Sequence, residues 1–125
     1  MLRVGVDLID VARVARALER YGERFYARFF TENERRQCEG QAHRLAARFA
    51  AKEATAKALG TGIGDVRWVE IEVDGDDRGR PLLILHGNAA IIAAKLGLQV
   101  WDVSLSHTND QAIAFVVGMS AESQP

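Results

Sequence analysis

The chain has 125 residues, 48% of them hydrophobic and 26% charged, the balance of one ordinary globular domain with little room for a second. Its one cysteine, Cys38, excludes an internal disulfide and predicts a reducing compartment. The net charge of −1 hides an asymmetry: residues 1–57 carry 12 Lys and Arg against 8 Asp and Glu, and residues 58–125 carry 4 against 9, so an acidic partner or a phosphate-bearing ligand is expected and nucleic acid is not.

The first residues, MLRVGVDL, are too short and too soon charged for a signal peptide. No apolar run approaches a membrane-spanning length, so a soluble, cytoplasmic protein is expected. Leu2–Leu8 reads as a strand, with Gly5 allowing a close backbone approach. Asp10 is placed to cap a helix to about Tyr21, in which Val11, Val14, Leu18 and Tyr21 form one apolar face. Gly22 interrupts it, and GERFYARFF predicts another helical turn or two. Thr31 with Glu34 is a capping box that opens a short helix ended by Gly40.

The longest predicted helix runs from about Gln41 to Leu59, rich in alanine and ended by Gly60. The GTGIG loop (60–64) follows this helix instead of preceding one, so it meets the negative helix end and is not a phosphate-binding loop. A glycine cap is the plainer reading, with a lesser role in shaping a ligand channel. Trp68–Val73 alternates as a strand, GDDRGRP is a turn, and Pro81–His86 is a further strand. Asn88 is placed to cap the helix AAIIAAKLG. Gln99–Ser106 and Ala112–Gly118 form an antiparallel hairpin across HTNDQ, and the tail AESQP reads as frayed. The sum is a single α+β domain over 1–125, with a mainly antiparallel sheet wrapped by a long helix.

Few residues carry possible chemistry. Asp7 on an apolar strand is either a strand end meeting solvent or a ligand for a hard cation, which needs a second carboxylate beside it. Glu53 and Lys57, one helical turn apart, read as a solvated ion pair or as part of a phosphate-and-metal surface. Arg44, Arg48 and Lys52 form an adjoining basic strip. His107, where a strand meets a turn, suits a structural hydrogen bond or a ligand contact. Arg13, Arg16, Arg20 and Arg24 form a basic stripe, either a solvated face or a docking surface for an acidic protein.

Four blocks, VGVDLIDVARV (4–14), RFAAKEATAKALGTGIG (48–64), GRP (79–81) and SLSHTNDQAIAFVV (104–117), together resemble the short bacterial holo-acyl-carrier-protein synthases. These form a class of 4′-phosphopantetheinyl transferases. The blocks occur in the family's order over nearly the whole chain. The resemblance implies the transferase fold and a homotrimer with active sites at subunit interfaces. It implies transfer of phosphopantetheine from coenzyme A to apo-acyl carrier protein, with Mg²⁺ held by Asp7 and Glu53. Lys57 would contact the phosphates, and His107 with Thr108 would hold the nucleotide near Arg48 and Pro81. Arg13, with Arg20, Arg24 and Phe25, would dock the carrier protein. Catalytic roles are expected of Glu53, Lys57 and His107. The alternative is a non-catalytic module that binds an acidic protein through its basic helix.

Overall fold

In the computed structural model, which describes residues 1–61, 65–75 and 78–121, the N-terminal run forms strand β1 (Leu2–Asp10). Alternation turns Gly5, Asp7 and Ile9 inward and leaves Leu2, Val4, Val6 and Leu8 exposed. β1 pairs antiparallel along its whole length with β5 (Gln111–Met119), and β5 pairs antiparallel with β4 (Val100–His107), giving the order β1-β5-β4. The predicted hairpin is therefore present. β2 (Ile71–Gly75) and β3 (Pro81–Leu85) pair in a separate two-stranded antiparallel sheet. The α+β class and antiparallel pairing are as predicted, with the strands divided between two sheets.

Among the described residues, five α-helices accompany the strands: α1 (Val11–Tyr21), α2 (Glu23–Phe29), α3 (Glu32–Cys38), α4 (Ala42–Leu59) and α5 (Gly87–Lys95). α4 packs on the inner face of the three-stranded sheet through Ala46, Ala47, Ala50, Ala51 and Ala54, which meet Ala112, Ala114 and Val116. Small side chains on both surfaces let the backbones come close. The approach is tightest at Gly5, where a Cβ would lie 1.8 Å from the Ala54 carbonyl oxygen. The absence of a side chain at Gly5 thus sets the distance between β1 and α4, and so the position of Asp7 two residues on.

Gly22, at φ +53°, turns the chain from α1 into α2. Phe25, Phe29, Phe30, Phe49 and Trp68 form an aromatic cluster with neighbouring centroids 4.8–5.6 Å apart, within the range of favourable edge and offset contacts. Thr31 and Glu34 form the predicted capping box. Gly60 caps α4 in the left-handed region. Residues 62–64 of the GTGIG loop, Asp76 and Asp77 of the predicted turn, and 122–125 of the tail lie outside the described residues.

Several local expectations are corrected. Trp68–Glu70 is a 3₁₀ turn, and the strand begins only at Ile71. Glu70 closes that turn by accepting from the Arg67 amide, and Lys52 takes the carbonyls of Trp68 and Ile71. Asn88 does not cap α5; His86 stands at the N-cap, and Glu70 accepts from the Asn88 amide at 2.6 Å. Asp10 makes no side-chain cap to α1, and its carboxylate accepts from Gln111 at 3.4 Å instead. α3 ends through Glu39, itself left-handed at φ 51°, before Gly40.

The basic strip on α4 is not a strip of free cations. Lys52 is fully buried and paired at 2.7 Å with the equally buried Glu34. Glu34 also accepts from the Thr31 and Val73 amides, so its position on α3 faces inward. Arg48 is drawn toward β2, donating from Nε to the Val73 carbonyl at 3.2 Å and from Nη2 to Gln37 at 2.8 Å. Among the described residues, no helix is long and apolar enough to cross a membrane.

Candidate active site

Two carboxylates and one ammonium converge where β1 crosses α4. Lys57 donates to the Val6 carbonyl at 3.0 Å and to the Asp7 carboxylate at 3.1 Å. Lys57 thus binds across to the strand and not to Glu53 one turn below it, which corrects the solvated pair within the helix. Glu53 is partly buried, and burial raises its carboxyl above the usual range. The Asp7 carboxylate raises it further, while Lys57 and Arg13 pull it back down. The charge of Asp7 thus opposes ionisation of Glu53. Among the described residues, no group of three or more His, Cys, Asp or Glu side chains gathers as a metal centre.

Beside this site α1 and α2 frame an open cleft of about 480 Å³, floored by Val14, Phe25, Phe29 and Phe49. Exposed Arg13, Arg24 and Arg28 border it. Phe25 is buried and forms part of the floor. Tyr21, 46% exposed, stands between two guanidinium groups, with Arg20 at 5.4 Å and Arg24 at 5.9 Å from its ring centroid. Such contacts hold long side chains in defined positions.

Arg48 and Pro81 share a second cleft of about 480 Å³, with Asp74, Arg80, Asp102 and Ser104 in its lining. Its β4 members sit on the edge of the sheet opposite β1, and it shares no lining residue with the Asp7, Glu53 and Lys57 group. His107 and Thr108 lie in a third cleft of about 390 Å³ beside the start of α4. One chain therefore joins Lys57 to Asp7, and lines one cleft with Arg48 and Pro81 and another with His107 and Thr108.

A family model described as the 4′-phosphopantetheinyl transferase superfamily matches residues 3–116. The chain belongs to that superfamily. The transferase is 54% identical over 126 residues to a holo-acyl-carrier-protein synthase of Herpetosiphon aurantiacus, covering 95% of this chain and 99% of that protein. It superposes on the synthase of Neisseria meningitidis with a TM-score of 0.85 at 32% identity, covering 94% and 98% of the two chains. It also superposes on a Bacillus anthracis synthase, solved in complex with CoA (3′,5′-ADP), with a TM-score of 0.78 at 37% identity over 95% and 96%.

The transferase contains site features that sequence reasoning missed. The ring of His43 lies against that of His107, and two of the stripe arginines lie over the Tyr21 ring. Nothing in a lone histidine on α4 signals the first. The second is legible as a tyrosine flanked by Arg20 and Arg24 at helical spacing.

Proposed function

We propose that the chain transfers the 4′-phosphopantetheine group from coenzyme A to a serine of apo-acyl carrier protein, releasing 3′,5′-ADP. The carrying observation is the convergence of Asp7, Glu53 and Lys57 at the contact of β1 with α4. In the transfer, the serine oxygen forms a bond to the β-phosphorus as the bridging P–O bond to the nucleotide breaks. Such reactions need alignment and charge neutralisation more than covalent catalysis. Glu53 takes the serine proton as the general base. Lys57 offsets the charge that develops on the departing phosphate.

The two carboxylates fit Mg²⁺. The charge of Asp7 opposes ionising Glu53, and a hard cation between them would relieve that repulsion while keeping water or phosphate oxygens as its other ligands. Asp7 and Glu53 would hold it, and when bound it would polarise the phosphoryl group. Lys57 already occupies Asp7, so it must release or share that carboxylate when its ammonium turns to phosphate. His107 and Thr108 are assigned to the nucleotide, with Arg48 and Pro81 beside it.

The cleft between α1 and α2 is the proposed dock for the carrier protein, an apolar floor bordered by arginines being complementary to an acidic amphipathic surface. Arg13→Ala is expected to raise KM for the carrier protein about tenfold, with KM for coenzyme A unchanged. Titration with each substrate in turn checks this, and raised salt is expected to imitate the substitution. A fall in coenzyme A affinity instead would place Arg13 in the wrong site.

The chain acts as one cytoplasmic domain over residues 1–125 and assembles as a homotrimer. Exposed Leu2, Val4, Val6 and Leu8 continue through the register onto Ile113 and Phe115, and an apolar face of this width supports an interface. The separation of the Arg48 cleft from the carboxylates supports sites shared between subunits. Sedimentation equilibrium at micromolar concentration is expected to give three times the chain mass; a monomer would refute the assembly.

The activity itself is tested by incubating the protein with apo carrier protein, coenzyme A and Mg²⁺, then weighing the carrier by mass spectrometry. Addition of one phosphopantetheine per carrier is expected. No addition across varied metal and salt would leave the non-catalytic module standing. Release of phosphopantetheine to water without acceptor would indicate a hydrolase.

A further inference from the structure

The last residue of β4 does not stand alone. The rings of His107 and His43 meet with centroids 4.7 Å apart and planes tilted by 40°. His43 is half-buried on the first turn of α4, whereas His107 is exposed. The other constraint on the His107 ring is a 3.3 Å contact between Nδ1 and the Thr108 carbonyl oxygen. At that length a hydrogen bond restrains a ring only weakly. The ring of His43, carried on a helix packed on the sheet, is the firmer support.

Both rings open onto the cleft of about 390 Å³, together with Val11, Gln41, Thr108 and Asn109. That volume lies in the range of small-molecule sites. The lining combines imidazole faces, two carboxamides and a hydroxyl. It suits a planar nitrogen heterocycle that stacks on a ring and hydrogen-bonds along its edge.

We propose that His43 is a positioning residue for the nucleotide end of coenzyme A, bracing the His107 ring so that it presents a fixed face to the adenine. The inference rests on the reading that His107 and Thr108 hold the nucleotide. Without His43, the His107 ring must be ordered at the moment of binding, which weakens affinity by the entropy of immobilising one side chain. Chemistry at Asp7, Glu53 and Lys57 is untouched, because none of these residues lines this cleft.

The test compares His43→Ala, His43→Phe and His107→Ala, each first shown to be folded by thermal melting. It measures Kd for 3′,5′-ADP by calorimetry, and KM and kcat for coenzyme A. His43→Ala is expected to raise both Kd and KM about three- to tenfold, with kcat within about twofold of the parent. His43→Phe keeps a flat ring and is expected to restore Kd and KM to within about twofold. Parent-like binding by His43→Ala alongside weak binding by His107→Ala would overturn the bracing role. Equal weakening by His43→Phe and His43→Ala would overturn it too, because the ring face would then not be the property that matters. If His107→Ala itself bound 3′,5′-ADP like the parent, the placement of the nucleotide at His107 would fall, and the inference with it.

Discussion

Glu53→Ala is expected to lower transfer on the order of a thousandfold or more while leaving the chain folded, since a well-placed general base contributes roughly 10²–10⁴ and this carboxylate is also a proposed metal ligand. Alanine is the best helix former, and α4 already carries it at most buried positions, so loss of activity would not reflect loss of structure. Near-parental turnover would refute the assigned role. A second readout separates site chemistry from folding. Burial, and then Asp7, raise the Glu53 carboxyl above its unfolded value. Between the unfolded and folded values the native chain binds the proton more tightly than the unfolded chain does. Stability therefore falls as pH rises through that window and stays lower above it. Glu53→Gln, measured in chelator without metal, is expected to melt above the parent at neutral pH. The gain should shrink as pH is lowered below the folded value. An unchanged melting temperature at neutral pH would mean that the repulsion between Asp7 and Glu53 is too weak to call for a cation.

What could be read from the residues, and what could not, divides by the range of the interactions. The capping box at Thr31 and Glu34, the Gly60 cap and the hairpin of β4 and β5 depend on neighbours in sequence, and all are present. Trp68–Glu70 alternates like a strand, yet its Trp68 carbonyl is claimed by Lys52 from another element, and the segment coils into a 3₁₀ turn. Spacing put Lys57 beside Glu53. The Asp7 carboxylate, on a strand at the far end of the N-terminal half, outcompetes it because Gly5 lets β1 press onto α4. The contact of Lys57 with Asp7 thus depends on an approach of two backbones that no periodicity encodes.

Lys52 shows the same limit, and its removal carries the largest expected effect on stability. In sequence it is one cation in a strip; in the fold it has no exposed surface. Its ammonium donates to Glu34 at 2.7 Å, to the Trp68 carbonyl at 3.1 Å and to the Ile71 carbonyl, which uses all three of its protons. Burial lowers its pKa, and Glu34 works against that shift. Lys52→Ala would strand the Glu34 carboxylate without a counter-charge and leave two carbonyls short of a donor, at about 3–5 kcal/mol. A domain of this size has a total stability of only about 5–15 kcal/mol, so roughly a fifth or more of it rests on this contact. Urea titration at neutral pH measures the loss. Less than about 1 kcal/mol, the worth of an exposed pair, would contradict the burial. The double variant Lys52→Met, Glu34→Gln removes both charges, and it is expected to recover part of the loss, because most of the penalty lies in the unpaired carboxylate and not in the missing attraction. The pair ties α3 and β2 to α4, and Arg48 is bonded to Val73 on that same β2. The single variant should therefore loosen the Arg48 cleft before it disturbs Asp7 and Glu53, raising KM for coenzyme A more than it lowers kcat.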